Sequence, residues 1–140
     1  MKDCNCGYCM GGEILAGFGI KLCDLSVSQL ILFKEQSHPG RVIMAYKDHV
    51  SEMVNLSDED RNAYFADVNK AANALHQAFS PAKINYGAYG DGGCHLHFHL
   101  VPKYKSDEFE WGTPFAMNPG RKYLTEEAYA AMIQKIKDNL

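Results

Sequence analysis

The 140-residue chain has no apolar stretch of the ~18 residues that a membrane-crossing helix requires, so no membrane partner is expected. It has no surplus of one charge either: 14 basic and 17 acidic side chains leave a net charge of −3. That balance excludes the basic footprint with which proteins grip nucleic-acid polymers, so any phosphate recognition must be local. Internal repeats and low-complexity tracts are absent, and the length suits a single domain, residues 1–140, with a genuine core. The start Met1-Lys2-Asp3-Cys4 carries no continuous apolar core of the secretory kind. A cytoplasmic setting is therefore expected, and there disulfides are disfavoured.

What the chain does have is a concentration of histidine. Three of its six histidines lie in the run Cys94-His95-Leu96-His97-Phe98-His99-Leu100-Val101-Pro102. Successive side chains of a strand point to opposite faces, so in a strand the three imidazoles share one face and Leu96, Phe98 and Leu100 the other. Imidazole titrates near neutral pH and can serve as nucleophile, base or acid; it is also the commonest metal ligand. The row therefore points to phosphate chemistry or to a metal.

Apolar β-like runs occur at Phe18–Cys23, Gln29–Phe33, Arg41–Tyr46, Lys83–Tyr89 and His95–Lys103. Between the third and fourth, Ser57 is a good helix N-cap, with Asp58, Glu59 and Asp60 at the positive end of the helix dipole. Phe65, Val68, Ala72, Leu75 and Phe79 recur at helical spacing and predict a core-facing stripe that Pro81 closes. Thr125 caps a second helix with Tyr129, Met132 or Ile133, Ile136 and Leu140 on one stripe. Strands grouped around one helix, not alternating with helices, predict an α+β fold with an antiparallel sheet.

Five cysteines are present. Cys6-Gly7-Tyr8-Cys9 is a Cys-x-x-Cys knuckle, open between zinc and thiol redox; no βαβ pattern surrounds it, which speaks against a thioredoxin-like use. Cys4 is a possible competing thiolate. Cys23 and Cys94 read as small buried residues. The loop Gly87-Ala88-Tyr89-Gly90-Asp91-Gly92-Gly93 either presents amides to an anion or is an ordinary hairpin loop.

The histidine run resembles the His-φ-His-φ-His-φ-φ signature of the histidine-triad superfamily, φ being apolar. The resemblance extends from about Cys6 to Lys103. Pro39–Val50 is similar to the family's apolar strand and its lysine- and histidine-bearing turn, Leu56–Asp60 to the start of its long helix, and Asn85-Tyr86-Gly87 to its Asn-x-Gly. It implies a five-stranded antiparallel sheet with one long helix and a C-terminal helix, usually as a homodimer. It also implies a nucleotide hydrolase or transferase in which His97 attacks the α-phosphorus of a purine nucleotide. The backbone carbonyl of His95 would fix the His97 ring, and His99 would donate to a phosphate oxygen and help the leaving group depart. Dinucleoside polyphosphates and nucleoside phosphoramidates are the implied substrates. Asn85 would support the phosphate site, beside the loop whose Gly92 and Gly93 are candidate phosphate contacts in their own right, and the nucleoside would lie against apolar residues of the early strands. The bacterial zinc-binding members further imply a structural Zn2+ held by Cys6, Cys9, His49 and His95, with no open position for chemistry.

Two departures from the family are visible. Arg41 stands where a fourth histidine is usual, and could either fork onto phosphate or pair with a charge on the sheet. Gly90-Asp91-Gly92-Gly93 replaces the usual Gly-Gln-Ser or Gly-Gln-Thr. The aromatic loop around Trp111 either reaches a leaving-group site or covers the sheet. These departures keep open a second function, a nucleotide-binding regulatory protein with little turnover, and a third in which the triad itself binds a catalytic metal.

Overall fold

In the computed structural model, which describes residues 2–106 and 109–140, the five apolar runs form one antiparallel sheet. The elements in chain order are α1 (Gly7–Met10), α2 (Gly12–Ala16), β1 (Gly19–Asp24), β2 (Ser28–Phe33), β3 (Val42–Tyr46), a single 3-10 turn at Met53–Asn55, α3 (Asp58–Phe79), β4 (Lys83–Ala88), β5 (His97–Lys103) and α4 (Glu126–Lys137). The strand order is β1-β2-β3-β5-β4, every pair antiparallel. The fold is α+β, as the grouping of the strands implies.

The central strands are buried on both faces, and the two faces do different work. On one, α3 and α4 close a core of Leu30, Leu32, Val42, Met44, Phe98 and Leu100 against Val68, Ala72, Leu75, Tyr129 and Ile136. On the other, Ile31, Ile43 and Ala45 are covered by Leu15, Tyr8 and Phe18 from the N-terminal segment. His97 and His99 open onto this second face, because they alternate with Phe98 and Leu100 along β5.

Both expected caps are present: Ser57 Oγ accepts from Asp60 N–H (3.1 Å) and Thr125 Oγ1 from Ala128 N–H (3.2 Å). α3 stops at Ser80, which adopts the left-handed conformation immediately before Pro81. Its core stripe follows the expected Val68, Ala72, Leu75 and Phe79 and departs from it at the first position. Phe65 is 43 % exposed, while Tyr64 is fully buried and donates its hydroxyl proton to the Met44 carbonyl (2.6 Å). A tyrosine that can satisfy its hydroxyl carries more buried area than its polarity suggests. Gly40, just ahead of β3, has φ +89°, and a Cβ there would lie 2.8 Å from the Phe79 ring; this close approach seats the end of α3 against the sheet.

β5 begins at His97, not at His95. Leu96 N–H donates to the Val50 carbonyl and the Leu96 carbonyl accepts from Tyr46 N–H, so residues 95–96 pair with the chain leaving β3 before the ladder with β4 starts. Cys94 lies in the loop outside the strand and is exposed, which corrects its expected burial; Cys23 is half-buried.

Asp67 of α3 accepts from Ser26 N–H, Ser26 Oγ, Val27 N–H and Ser28 Oγ, at 2.7–3.2 Å. Burial alone would raise this carboxyl, but the four donors hold it below its ordinary value. Asp67→Ala is expected to cost about 3 kcal/mol in urea unfolding, because it strands buried donors of the β1–β2 turn. The depressed carboxyl contributes fully above the unfolded carboxylate range and loses that contribution as pH falls through its folded value. The stability gap between wild type and Asp67→Asn should therefore narrow in acid.

Candidate active site and metal centre

Between the N-terminal segment and the second face of the sheet lies a cavity of about 940 Å³, a size suited to a small-molecule ligand. His97 and His99 form its floor. Ile14, Phe18, Phe33 and Ile43 form an apolar side, and Asp91, Gly92, Gly93 and Cys94 border it from the loop before β5.

His95, His97 and His99 have separate surroundings. His95 is buried, and its Nε2–H donates to the Tyr46 carbonyl (2.7 Å), which leaves Nδ1 with its lone pair. That Nδ1 lies 3.3 Å from His49 Nδ1, 3.4 Å from Cys6 Sγ and 3.5 Å from Cys9 Sγ, while Cys9 Sγ lies 3.3 Å from His49 Nδ1. All four ligand atoms fall within 4.8 Å of one another. Around a tetrahedral ion with ordinary metal–sulfur and metal–nitrogen lengths, nitrogen–nitrogen and sulfur–nitrogen separations are about 3.3 and 3.6 Å. The four residues fit such an ion in donor type and in spacing. The carbonyl behind His95 is the kind of outer partner that orients a ligating imidazole. Burial, followed by the neighbouring Cys6, raises the Cys9 thiol; a cation among the four would reverse this, since a coordinating thiol is deprotonated. Cys4 is exposed and outside the cluster. Among the described residues, His97 and His99 belong to no group that could hold a metal.

His97 Nδ1–H donates to the backbone carbonyl of His95 (2.7 Å), so Nε2 carries the lone pair. Burial pushes His97 below its ordinary value, which keeps the ring neutral and that nitrogen nucleophilic. The Tyr8 ring lies over both histidines, with centroids 5.0 Å from His95 and 4.9 Å from His97. Tyr8 was not singled out by sequence reasoning. It sits inside the Cys-x-x-Cys knuckle, and that position was the only signal for it. Met117 and Asn118, which also line the cavity, gave none.

The other expected site residues divide. Gly92 and Gly93 border the cavity. Arg41 does not; it lies fully buried behind His99, with its guanidinium held by the Met117 carbonyl, so it forks onto no phosphate from there. Asn85 and Trp111 line a neighbouring groove of about 680 Å³. Asn85 faces Val101, two residues along the ladder from the Gly87–His99 pair, which puts it on the far side of Tyr89. Tyr89 borders both hollows. Its ring packs onto Gly87, where any Cβ would come within 2.4 Å.

Protein purified without chelators is expected to contain close to one metal ion per chain by elemental analysis. Cys9→Ser should lose most of it and unfold at lower temperature, since structural metal sites contribute folding free energy directly.

A family model described as the HIT domain matches residues 28–106, more than half of the chain. Protein hit of Bacillus subtilis is 28 % identical over 113 residues, covering 75 % of this chain and 76 % of that protein. The adenosine 5'-monophosphoramidase hnt1 of Schizosaccharomyces pombe is 24 % identical over 128 residues, covering 86 % and 88 %. The crystal structure of a histidine triad protein from Sinorhizobium meliloti superposes with a TM-score of 0.83 at 25 % identity, covering 92 % of this chain and 95 % of that one. The matched segment opens at β2 and runs past the last residue of β5, so it contains the whole histidine run and four of the five strands of the sheet. On that ground this chain belongs to the HIT, or histidine-triad, superfamily.

Proposed function

We propose that the protein is a nucleotide hydrolase or transferase acting on the α-phosphate of a dinucleoside polyphosphate or a nucleoside phosphoramidate through a nucleotidyl-His97 intermediate. The observation that carries this reading is the bond from His97 Nδ1–H to the His95 carbonyl. It leaves a neutral imidazole with its free nitrogen in a cavity that also offers an apolar slot for a base and is bordered by Gly92 and Gly93. A relative named as a nucleotide phosphoramidase supports the substrate class.

In the first step a bond forms between His97 Nε2 and the α-phosphorus, and the bond from phosphorus to the leaving group breaks. The electron pair of that bond goes to the leaving group. Water then forms a new oxygen–phosphorus bond, the phosphorus–Nε2 bond breaks, and the nucleoside monophosphate departs with release of a proton. Splitting one displacement into two keeps the nucleotide positioned while the acceptor changes. Gly92 and Gly93 present backbone to the phosphate in this reading. Cys6, Cys9, His49 and His95 would hold a Zn2+ ion, and four protein ligands would leave it no open position for chemistry. Its part in the reaction would be indirect, through His95, whose carbonyl orients His97.

His97→Ala should reduce turnover of adenylated substrates by about 10³-fold or more while nucleoside monophosphate binding persists. Brief incubation with substrate followed by denaturation and mass spectrometry should show a nucleotidyl adduct on wild-type protein and none on His97→Ala. If wild type binds AMP but its turnover is as negligible as that of His97→Ala, the protein is a nucleotide-binding regulator and not an enzyme.

A further inference from the structure

Arg41 occupies the first position of the segment entering β3, and its side chain is completely buried. Its guanidinium has three sets of partners. Nη1 donates to the carbonyls of Met117 (2.6 Å) and Ala116 (3.5 Å). Nη2 lies 3.1 Å from His99 Nδ1 and 3.4 Å from Met117 Sδ. The guanidinium carbon sits 4.2 Å from the centre of the Phe33 ring. Burial draws Arg41 down to about 10, which still leaves it protonated at neutral pH.

A guanidinium has donors and no acceptor. His99 Nδ1 must therefore turn its lone pair toward Arg41, and the single ring proton must sit on Nε2. A second proton on Nδ1 would point at a cation across 3.1 Å inside a buried site. Burial, then the Arg41 charge, then His97 together pull His99 down to about 3, in line with the geometry. His99 lines the cavity beside His97, with ring centroids 5.3 Å apart, so it is next to the phosphorus that His97 would attack.

Resting on the nucleotidyl-transfer reading above, we propose that Arg41 is a positioning residue that fixes His99 as a neutral Nε2–H hydrogen-bond donor, and that the site consequently favours substrates whose leaving group departs as an anion, nucleotide phosphoanhydrides, over phosphoramidates. The chemistry separates the two. When the bond from phosphorus to the bridging oxygen breaks, the electron pair stays on oxygen, and the departing polyphosphate is stable as an anion; a hydrogen bond from His99 is sufficient help. When a phosphorus–nitrogen bond breaks, the nitrogen must gain a proton to leave as an amine. An imidazolium beside it would supply one readily. His99 held neutral would have to become an imidazolate, which is far less favourable. The other arm of Arg41, on the Met117 carbonyl, ties this arrangement to the loop whose Met117 and Asn118 border the cavity.

The test combines nitrogen-15 resonance of the histidine rings in the metal-loaded chain with kinetics on diadenosine tetraphosphate and adenosine 5'-phosphoramidate. Wild type should show His99 as the neutral Nε2–H tautomer at pH 6, and its kcat/KM should favour the tetraphosphate by about 10²-fold or more, the usual scale of a missing general acid. Arg41→Met should release the tautomer and narrow that preference about 10-fold or more, whereas Arg41→Lys, which keeps a donor-only cation, should retain both. An active wild type that prefers the phosphoramidate, or a His99 protonated on Nδ1 at pH 6, overturns the inference. Neither wild-type measurement depends on a variant folding. Turnover of neither substrate with the Nε2–H tautomer present overturns the nucleotidyl-transfer reading and the preference with it, and leaves Arg41 as the residue that sets the tautomer.

Discussion

Three groups of His95 are engaged at once, and the site hangs on their being engaged together. Its Nδ1 faces two thiols and a second imidazole, its Nε2–H is taken by the Tyr46 carbonyl, and its own backbone carbonyl receives the proton of His97 Nδ1. No part of the residue is left to rotate. The constraint runs from the end of β3 to the segment entering β5 and includes the N-terminal segment, because Cys6 is the N-cap of the first helical turn and Cys9 lies within it. A four-residue helix does not hold its own conformation in water. Packing of Tyr8 over the histidines and convergence of the two sulfurs on His49 and His95 fix it instead.

The two faces of the sheet express a division of labour. The helix face is a conventional apolar core, with Asp67 as a buried polar tie that satisfies every hydrogen bond it invites. The other face concentrates buried polar groups that would be costly in an ordinary core: His95, His97, His99 and Arg41. Each is offset by a specific partner, and each partner also sets a tautomer or an orientation. His97 and His99 end with opposite ring nitrogens protonated because one meets a carbonyl and the other a guanidinium. Alternate spacing places the two imidazoles side by side, and their backbone and side-chain surroundings give them different chemistry.

Much of this was legible in the chain. The period-two histidine run, the Ser57 and Thr125 caps and the five apolar runs correspond to β5, α3, α4 and the sheet. The resemblance brought together Cys6, Cys9, His49 and His95, four residues spread over 90 positions that the fold does assemble. What was not legible depends on tertiary context. The strand start at His97 is decided by the pairing of Leu96 with Val50 and Tyr46, which local pattern does not encode. Tyr64 displaces Phe65 from the core because its hydroxyl finds the Met44 carbonyl. Arg41 read as a phosphate or ion-pair residue, and its burial behind His99 depends on a loop 75 residues away closing over it. Asn85 and Trp111 share a groove that meets the cavity at Tyr89, whose ring comes close to the strand because residue 87 is glycine.

The central claim is that the Cys2His2 cluster governs the orientation of His97 through His95. The most direct measurement is the tautomer of His97, read by nitrogen-15 resonance before and after the metal is removed by a chelator under conditions where the sheet stays folded. The account predicts a single Nδ1–H tautomer in the metal-loaded protein and a mixture of tautomers once His95 is released. An unchanged Nδ1–H tautomer in fully metal-free, folded protein would contradict it.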